Sequence, residues 1–176
     1  MIYIILFIVV FVPVFDLFSK KAVMKFYRNN GRNMGVLSPC VFFMYVFFNK
    51  DKEKGFIQKN QTDHHIKFIN ICPPVYNNGA LLGIFKKRKV LLHFLIGLSL
   101  LVLMAFIIYN IYHKDFSAIF LSIVLGGGLG NFIDRLMHKA VTDFLFLSFN
   151  KKIIFNIADL FIMIGVVCVM IYIIFT

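Results

Sequence analysis

Four stretches of the chain are long and apolar enough to cross a lipid bilayer, and nothing else in the sequence constrains the fold as tightly. A spanning helix needs about 20 mostly apolar residues, because about 30 Å of hydrocarbon is crossed at about 1.5 Å per residue. The runs are Ile2 to Phe18, Val90 to Tyr112, Phe116 to Leu136 and Ile153 to Phe175. The first is slightly short and holds Pro13; the third is diluted by Gly126, Gly127, Gly128 and Gly130. The first run lacks a basic lead-in and a small-residue cleavage site, so it reads as a span and not as a cleavable leader. The expected fold is an all-α membrane protein. It has four transmembrane helices and a long extramembrane loop between helices 1 and 2, with room there for a small β element. A chain of 176 residues suits one domain, here the whole of 1–176, with residues 24–72 as an enlarged loop inside it.

Composition excludes two classes. Hydrophobic residues make up 60% and charged residues 15%, against about 45–50% and about 25% in soluble domains. Mean hydropathy is +0.85, too high for a disordered chain. The net charge of +11 reads as basic flanks at a membrane surface. No basic helix interleaved with stacking aromatics points to nucleic acid. Cys40, Cys72 and Cys168 fit no zinc spacing. Cys168 lies in an apolar run as a small packing residue, while Cys40 and Cys72 are free to meet or not. His64 and His65 are adjacent, a spacing that rarely serves one metal, so no metal and no cofactor is expected. Within the long loop, Val36–Phe48 is apolar but too short to span and fits an interfacial or re-entrant piece. Lys50–Lys59 is charged and solvated.

Four carboxylates lie inside or beside apolar sequence: Asp16, Asp134, Asp143 and Asp159. An ionised Asp at mid-bilayer costs roughly 2.5–3.5 kcal/mol on insertion scales. With four alternating spans, the end of span 1, the end of span 3, the start of span 4 and the long loop share one side of the membrane. All four carboxylates therefore converge on that face. Asn131, Asp134 and Arg135 share one helical face, which Gly127 continues one turn earlier. Asn156 and Asp159 are three apart on span 4, with Asp159 expected about 9 Å inside that span. The Gly126-x-x-x-Gly130 pair reads as close helix packing. Asp134 and Arg135 also allow a purely structural ion pair or helix-end role.

Two carboxyls at a dry site cannot easily both ionise. At about 4 Å and an effective dielectric of about 20, their repulsion is about 4 kcal/mol, roughly three pKa units. They then share a proton, so one can act as a base on water while the other serves a substrate carbonyl. No activated Ser or Cys/His pair competes for this role in the sequence.

Five blocks of residues carry a resemblance. They are Asp16-x-x-Ser-Lys20, Asn77-Asn-Gly79-Ala, Gly126-Gly-Gly-Leu-Gly-Asn131-Phe-Ile-Asp134-Arg135, Val141-Thr-Asp143-Phe, and Phe155-Asn156-Ile-Ala158-Asp159. In order and position on the spans, this set resembles lipoprotein signal peptidase (signal peptidase II). The resemblance implies an intramembrane aspartyl endopeptidase that removes the signal peptide from bacterial prolipoproteins before the diacylglyceryl-modified cysteine. It implies Asp143 and Asp159 as the catalytic pair, with Asp134 a supporting residue and the rival if the pair is otherwise. Asn131, Arg135, Asn156 and Asn77 are then positioning groups for the peptide. Asp16, Lys20, Gly79 and Ala158 are supports on the same face. It also implies diacylglyceryl prolipoprotein substrates, contact with membrane lipid and inhibition by globomycin, in a monomer of the bacterial cytoplasmic (inner) membrane. The catalytic face would be at the outer leaflet.

Some positions depart from the family pattern. Leu17 replaces a common Gln, Leu81-Leu82 replace a small–aromatic pair, and Lys139 stands where Gly is usual. The connection between the two Asp is slightly short. Charge also opposes the expected orientation. Of the 19 Lys and Arg, 14 lie in residues 19–89, on the catalytic side, together with Lys139, Lys151 and Lys152. The positive-inside rule would turn that side to the cytoplasm, although it is counted over loops shorter than this one. Two other readings remain: a proton-coupled carrier, and an inactive relative that binds lipoproteins or lipid. A carrier predicts carboxylates spread through the membrane depth.

Overall fold

The computed structural model describes residues 1–30, 69–77, 88–147 and 150–176. The readings placed on Val36–Phe48, Lys50–Lys59, His64, His65, Cys40, Gly79 and Leu81-Leu82 lie outside these residues. In chain order the elements are α1 (Ile2–Asn30), β1 (Ile69–Asn77), α2 (Lys89–Tyr112), α3 (Ser117–His138), β2 (Val141–Leu147), β3 (Asn150–Phe155) and α4 (Ile157–Phe175). Two compact units contain them. One comprises Met1–Ser19, Tyr76–Thr142 and Asn156–Thr176; the other comprises Lys20–Val75 and Asp143–Phe155.

The first unit holds the four spans. Each helix has the length and apolarity to cross a bilayer. Large apolar side chains point outward along them, among them Tyr3, Phe7, Val90, Phe94, Ile173 and Phe175, all more than half exposed. A water-soluble surface rarely carries so much contiguous apolar area, whereas hydrocarbon welcomes it. The chain is a multi-pass membrane protein.

α3 is the most buried of the four spans, and its glycines explain how. Successive helical residues turn by about 100°, so three glycines in a row face three different neighbours. A methyl group at Gly126 would lie 2.8 Å from Val12 Cβ on α1, one at Gly127 2.6 Å from the Ala158 carbonyl on α4, and one at Gly128 2.6 Å from Leu100 Cδ2 on α2. Gly165 of α4 does the same in return against Val124 and the Phe120 carbonyl. With no hydrophobic drive between helices in lipid, such close approach supplies the packing. Ile5, Ile107, Ala118 and Leu125 close the apolar centre of α1, α2 and α3.

The turn between α2 and α3 is tight. The Asp115 N–H donates to the Asn110 carbonyl at 2.8 Å, and Asp115 Oδ1 accepts from the Ser117 N–H at 2.8 Å. That Ser117 N–H is the main reason the Asp115 carboxyl is held below its ordinary value; burial opposes it and the Ser117 and Tyr172 hydroxyls assist. At its other end α3 stops on Lys139, which adopts the left-handed conformation (φ 58°, ψ 14°).

In the second unit, α1 continues past the expected end of span 1 at Phe18. Lys20, Val23, Phe26 and Tyr27 recur at helical spacing and are buried, while Lys21, Lys25 and Arg28 are exposed. The amphipathic stripe, too polar to register as membrane sequence, keeps the helix going to Asn30. The Tyr27 hydroxyl donates to the Ile71 carbonyl of β1 at 3.4 Å. The three strands form one sheet in the order β1-β2-β3. β2 and β3 are antiparallel, Leu145 opposite Phe155 and Phe146 opposite Ile154, with an irregularity at Phe146/Leu147. The central strand β2 is buried from Val141 to Phe146 without alternation, as a strand covered on both faces must be. Pro73 and Pro74 cannot donate to a ladder, and they sit on β1 at the sheet's edge.

The small β element is present, and its position is extended: among the described strands, β1 lies in the connection between the first two spans, while β2 and β3 lie between α3 and α4. Ile153–Phe155 belong to β3, so span 4 begins at Ile157 and not at Ile153. An apolar run cannot by itself distinguish a buried strand from the first turn of a span.

Candidate active site

The revised start of α4 moves Asp159. It is the third residue of the helix, about 3 Å into it by rise, and not about 9 Å inside. Asn156 is the N-cap, and the two residues form a reciprocal capping box. The Asp159 N–H donates to Asn156 Oδ1 at 3.0 Å, and the Asn156 N–H donates to Asp159 Oδ2 at 3.2 Å. From α3, Asn131 Nδ2 donates to Asp159 Oδ1 at 2.7 Å. Both oxygens of Asp159 are therefore held, one by its own helix start and one by the neighbouring span. Asp159 remains partly exposed while Asn156 is fully buried. A carboxylate here also faces the positive end of the α4 dipole.

The residue before Asp159 ties in α1. The Ala158 N–H donates to Asp16 Oδ1 at 2.9 Å. Ala158 and Asp16 are both fully buried. A methyl group at Gly130 would come within 2.9 Å of Asp16 Oδ2, so this glycine leaves room for a carboxylate as well as for a helix. Ser19 donates its hydroxyl to the Asp16 carbonyl at 2.7 Å.

One turn beyond Asn131, Asp134 has 1% exposure and holds a partner on each oxygen. His138 Nδ1 is 2.7 Å from its Oδ1, and the Thr142 N–H donates to its Oδ2 at 2.7 Å. Asp134 thereby links the last turn of α3 to the first residues of β2. Arg135, next to it, is also buried.

Within the first unit, hydrogen bonds thus join Asn131, Asn156 and Asp159 in one group and Asp16 with Ala158 in another, while Asp134 bonds His138 and Thr142. In the second unit, Lys20 is buried on α1 and Asp143 is buried on β2. The Cys72 thiol of β1 is pushed up by burial and further by the charge of Asp143, against the pull of its own backbone N–H. Asn77 ends β1 and is exposed.

His138 and Thr142 were not singled out in the sequence. The His138 signal was present as a four-residue spacing from Asp134 on a helix. Thr142 contributes only a backbone N–H, which no side-chain pattern reveals.

Comparison with known proteins adds a family. The profile of signal peptidase (SPase) II matches residues 8–175. A lipoprotein signal peptidase of Lactobacillus gasseri is 42% identical over 118 residues, 64% of this chain and 75% of that protein. One from Streptococcus agalactiae is 34% identical over 119 residues, 65% of this chain and 75% of that protein. One from Clostridium tetani is 35% identical over 101 residues, 56% of this chain, and this chain spans 65% of that protein's length. A solved bacterial membrane enzyme, determined by the in meso method at 2.3 Å resolution, superposes with a TM-score of 0.69 at 26% identity. That match covers 99% of this chain and 89% of the other.

Proposed function

The chain belongs to the signal peptidase II family, and on that premise we propose that it removes the signal peptide from bacterial prolipoproteins, cutting before the diacylglyceryl-modified cysteine. The observation that carries the reading is the held carboxylate of Asp159 at the start of a membrane helix. Its orientation is fixed from two elements by Asn131 and Asn156, as a group committed to one geometry requires.

Asp143 and Asp159 act as an aspartyl pair with one proton between them. The ionised member takes a proton from a water molecule as that water attacks the scissile carbonyl. The protonated member donates to the carbonyl oxygen, and the departing amine leaves with a proton. Arg135, Asn131, Asn156 and Asn77 position the peptide. Asp16, Lys20, Asp134, Gly79 and Ala158 support the same face. The enzyme works as a monomer in the bacterial cytoplasmic membrane, in contact with lipid, with its catalytic face at the outer leaflet. Globomycin blocks it.

The test is purified protein in detergent with a diacylglyceryl-modified prolipoprotein. Mass spectrometry should find a new amino terminus at the modified cysteine, and globomycin should abolish it. An uncut substrate, or a cut elsewhere, would overturn the reading.

A further inference from the structure

We propose that His138 is a positioning residue for the reaction, acting through Asp134 on the peptide that leads into Asp143. The proposal rests on the aspartyl-pair reading above and adds a residue to it.

The relay has three members. His138 lies four residues after Asp134 on α3, so their side chains meet on one helical face. Its Nδ1 is 2.7 Å from Asp134 Oδ1. The other oxygen, Oδ2, accepts the Thr142 N–H at 2.7 Å. We assign a proton to His138 Nδ1, because an ionised carboxylate offers only acceptors. Asp134 is 1% exposed and Thr142 fully buried, whereas the His138 side chain is 35% exposed. The buried carboxylate is therefore pinned on one side by a ring at the protein's surface and on the other by a backbone amide.

Geometry gives the arrangement a purpose. Thr142 immediately precedes Asp143. Between the end of α3 and that residue the chain turns at Lys139, in a left-handed conformation unfavourable for a side chain. A turn of this kind needs an external hold if the following backbone is to keep one orientation. The Asp134–Thr142 bond is such a hold, and His138 keeps the Asp134 carboxylate from rotating out of it. Two short charge-assisted bonds to one buried group are the strong kind. Without His138, the carboxylate loses a donor at Oδ1, and the Thr142 amide loses a partner held from two sides.

Two variants and two measurements test this. His138→Leu removes the donor, while His138→Asn places an amide N–H near the position of Nδ1. In prolipoprotein cleavage, His138→Leu should lower kcat by up to about 10-fold with little change in KM, as slight misplacement of a reacting group does. His138→Asn should recover most of that loss. Independently of activity, hydrogen exchange at the Thr142 amide, followed by NMR in micelles, should be faster in His138→Leu and near wild type in His138→Asn. Unchanged Thr142 exchange in His138→Leu would overturn the proposal, whether or not the protein cleaves prolipoprotein. Faster exchange with wild-type kcat would overturn the link to the reaction. A wild type that cleaves nothing would instead defeat the peptidase reading, and the amide measurement would still decide the relay.

Discussion

At the scale of single residues, the site depends on how closely backbone and carboxylate approach one another. Gly97 and Gly130 make the contrast measurable. A methyl group at Gly130 would meet the Asp16 carboxylate at 2.9 Å, whereas one at Gly97 would meet only Phe132 Cζ at 3.6 Å. Gly130→Ala should therefore destabilise the protein by about 1–3 kcal/mol and impair cleavage. Gly97→Ala should be neutral or gain up to about 1 kcal/mol from helix propensity. Thermal unfolding in detergent compares the two, and equal transitions would contradict the packing described. The Gly126–Gly130 spacing was legible in the sequence as close packing. That Gly130 makes room for Asp16 was not, because it depends on how α1 is rotated against α3. Asp134 is a similar case. Its carboxyl type and its place beside Arg135 were legible, but that its two oxygens meet His138 and the Thr142 amide was not.

At the scale of elements, the ends of the helices hold most of the candidate site's hydrogen-bonded groups. α3 ends on Lys139 at φ 58°, a position where the family usually has glycine. A side chain in that conformation costs about 1 kcal/mol relative to glycine. Lys139→Gly should raise the unfolding temperature, and an unchanged or lower one would contradict the strain argument. The start of α3 is tuned by charge. The Asp115 carboxyl lies below its ordinary value of 3.8, chiefly because it accepts the Ser117 N–H. A lowered value means that ionised Asp115 stabilises the fold above the ordinary value and ceases to do so as pH falls through the lowered one. Asp115→Asn should therefore destabilise slightly at neutral pH and reduce the loss of stability as pH falls below the ordinary value of 3.8. Unfolding curves across that range check the sign. Four helices were legible as apolar runs. The extension of α1 was not, because its stripe of Val23, Phe26 and Tyr27 is interrupted by Lys21, Lys25 and Arg28. The β2–β3 hairpin was missed because Ile153–Phe155 read as membrane sequence. That error placed Asp159 deep in a span instead of at a cap.

At the scale of the whole molecule, four alternating spans put Met1 and Thr176 on one side of the membrane and the His138 and Asn156 ends of α3 and α4 on the other. The proposed outer-leaflet chemistry requires cytoplasmic termini, against a charge distribution that favours the reverse. A reporter fused after Thr176 should be fluorescent as a green fluorescent protein and inactive as an alkaline phosphatase. The opposite pattern would refute the proposed orientation. The central claim concerns the pair of carboxyls, and the most direct measurement of it is prolipoprotein cleavage by Asp143→Asn, Asp159→Asn and Asp134→Asn beside wild type, each checked for folding. The account predicts a loss of at least about 10³-fold for Asp143→Asn and for Asp159→Asn, and a smaller loss, about tenfold, for Asp134→Asn. Wild-type cleavage by either of the first two variants, or a dead Asp134→Asn beside active Asp143→Asn or Asp159→Asn, would contradict it.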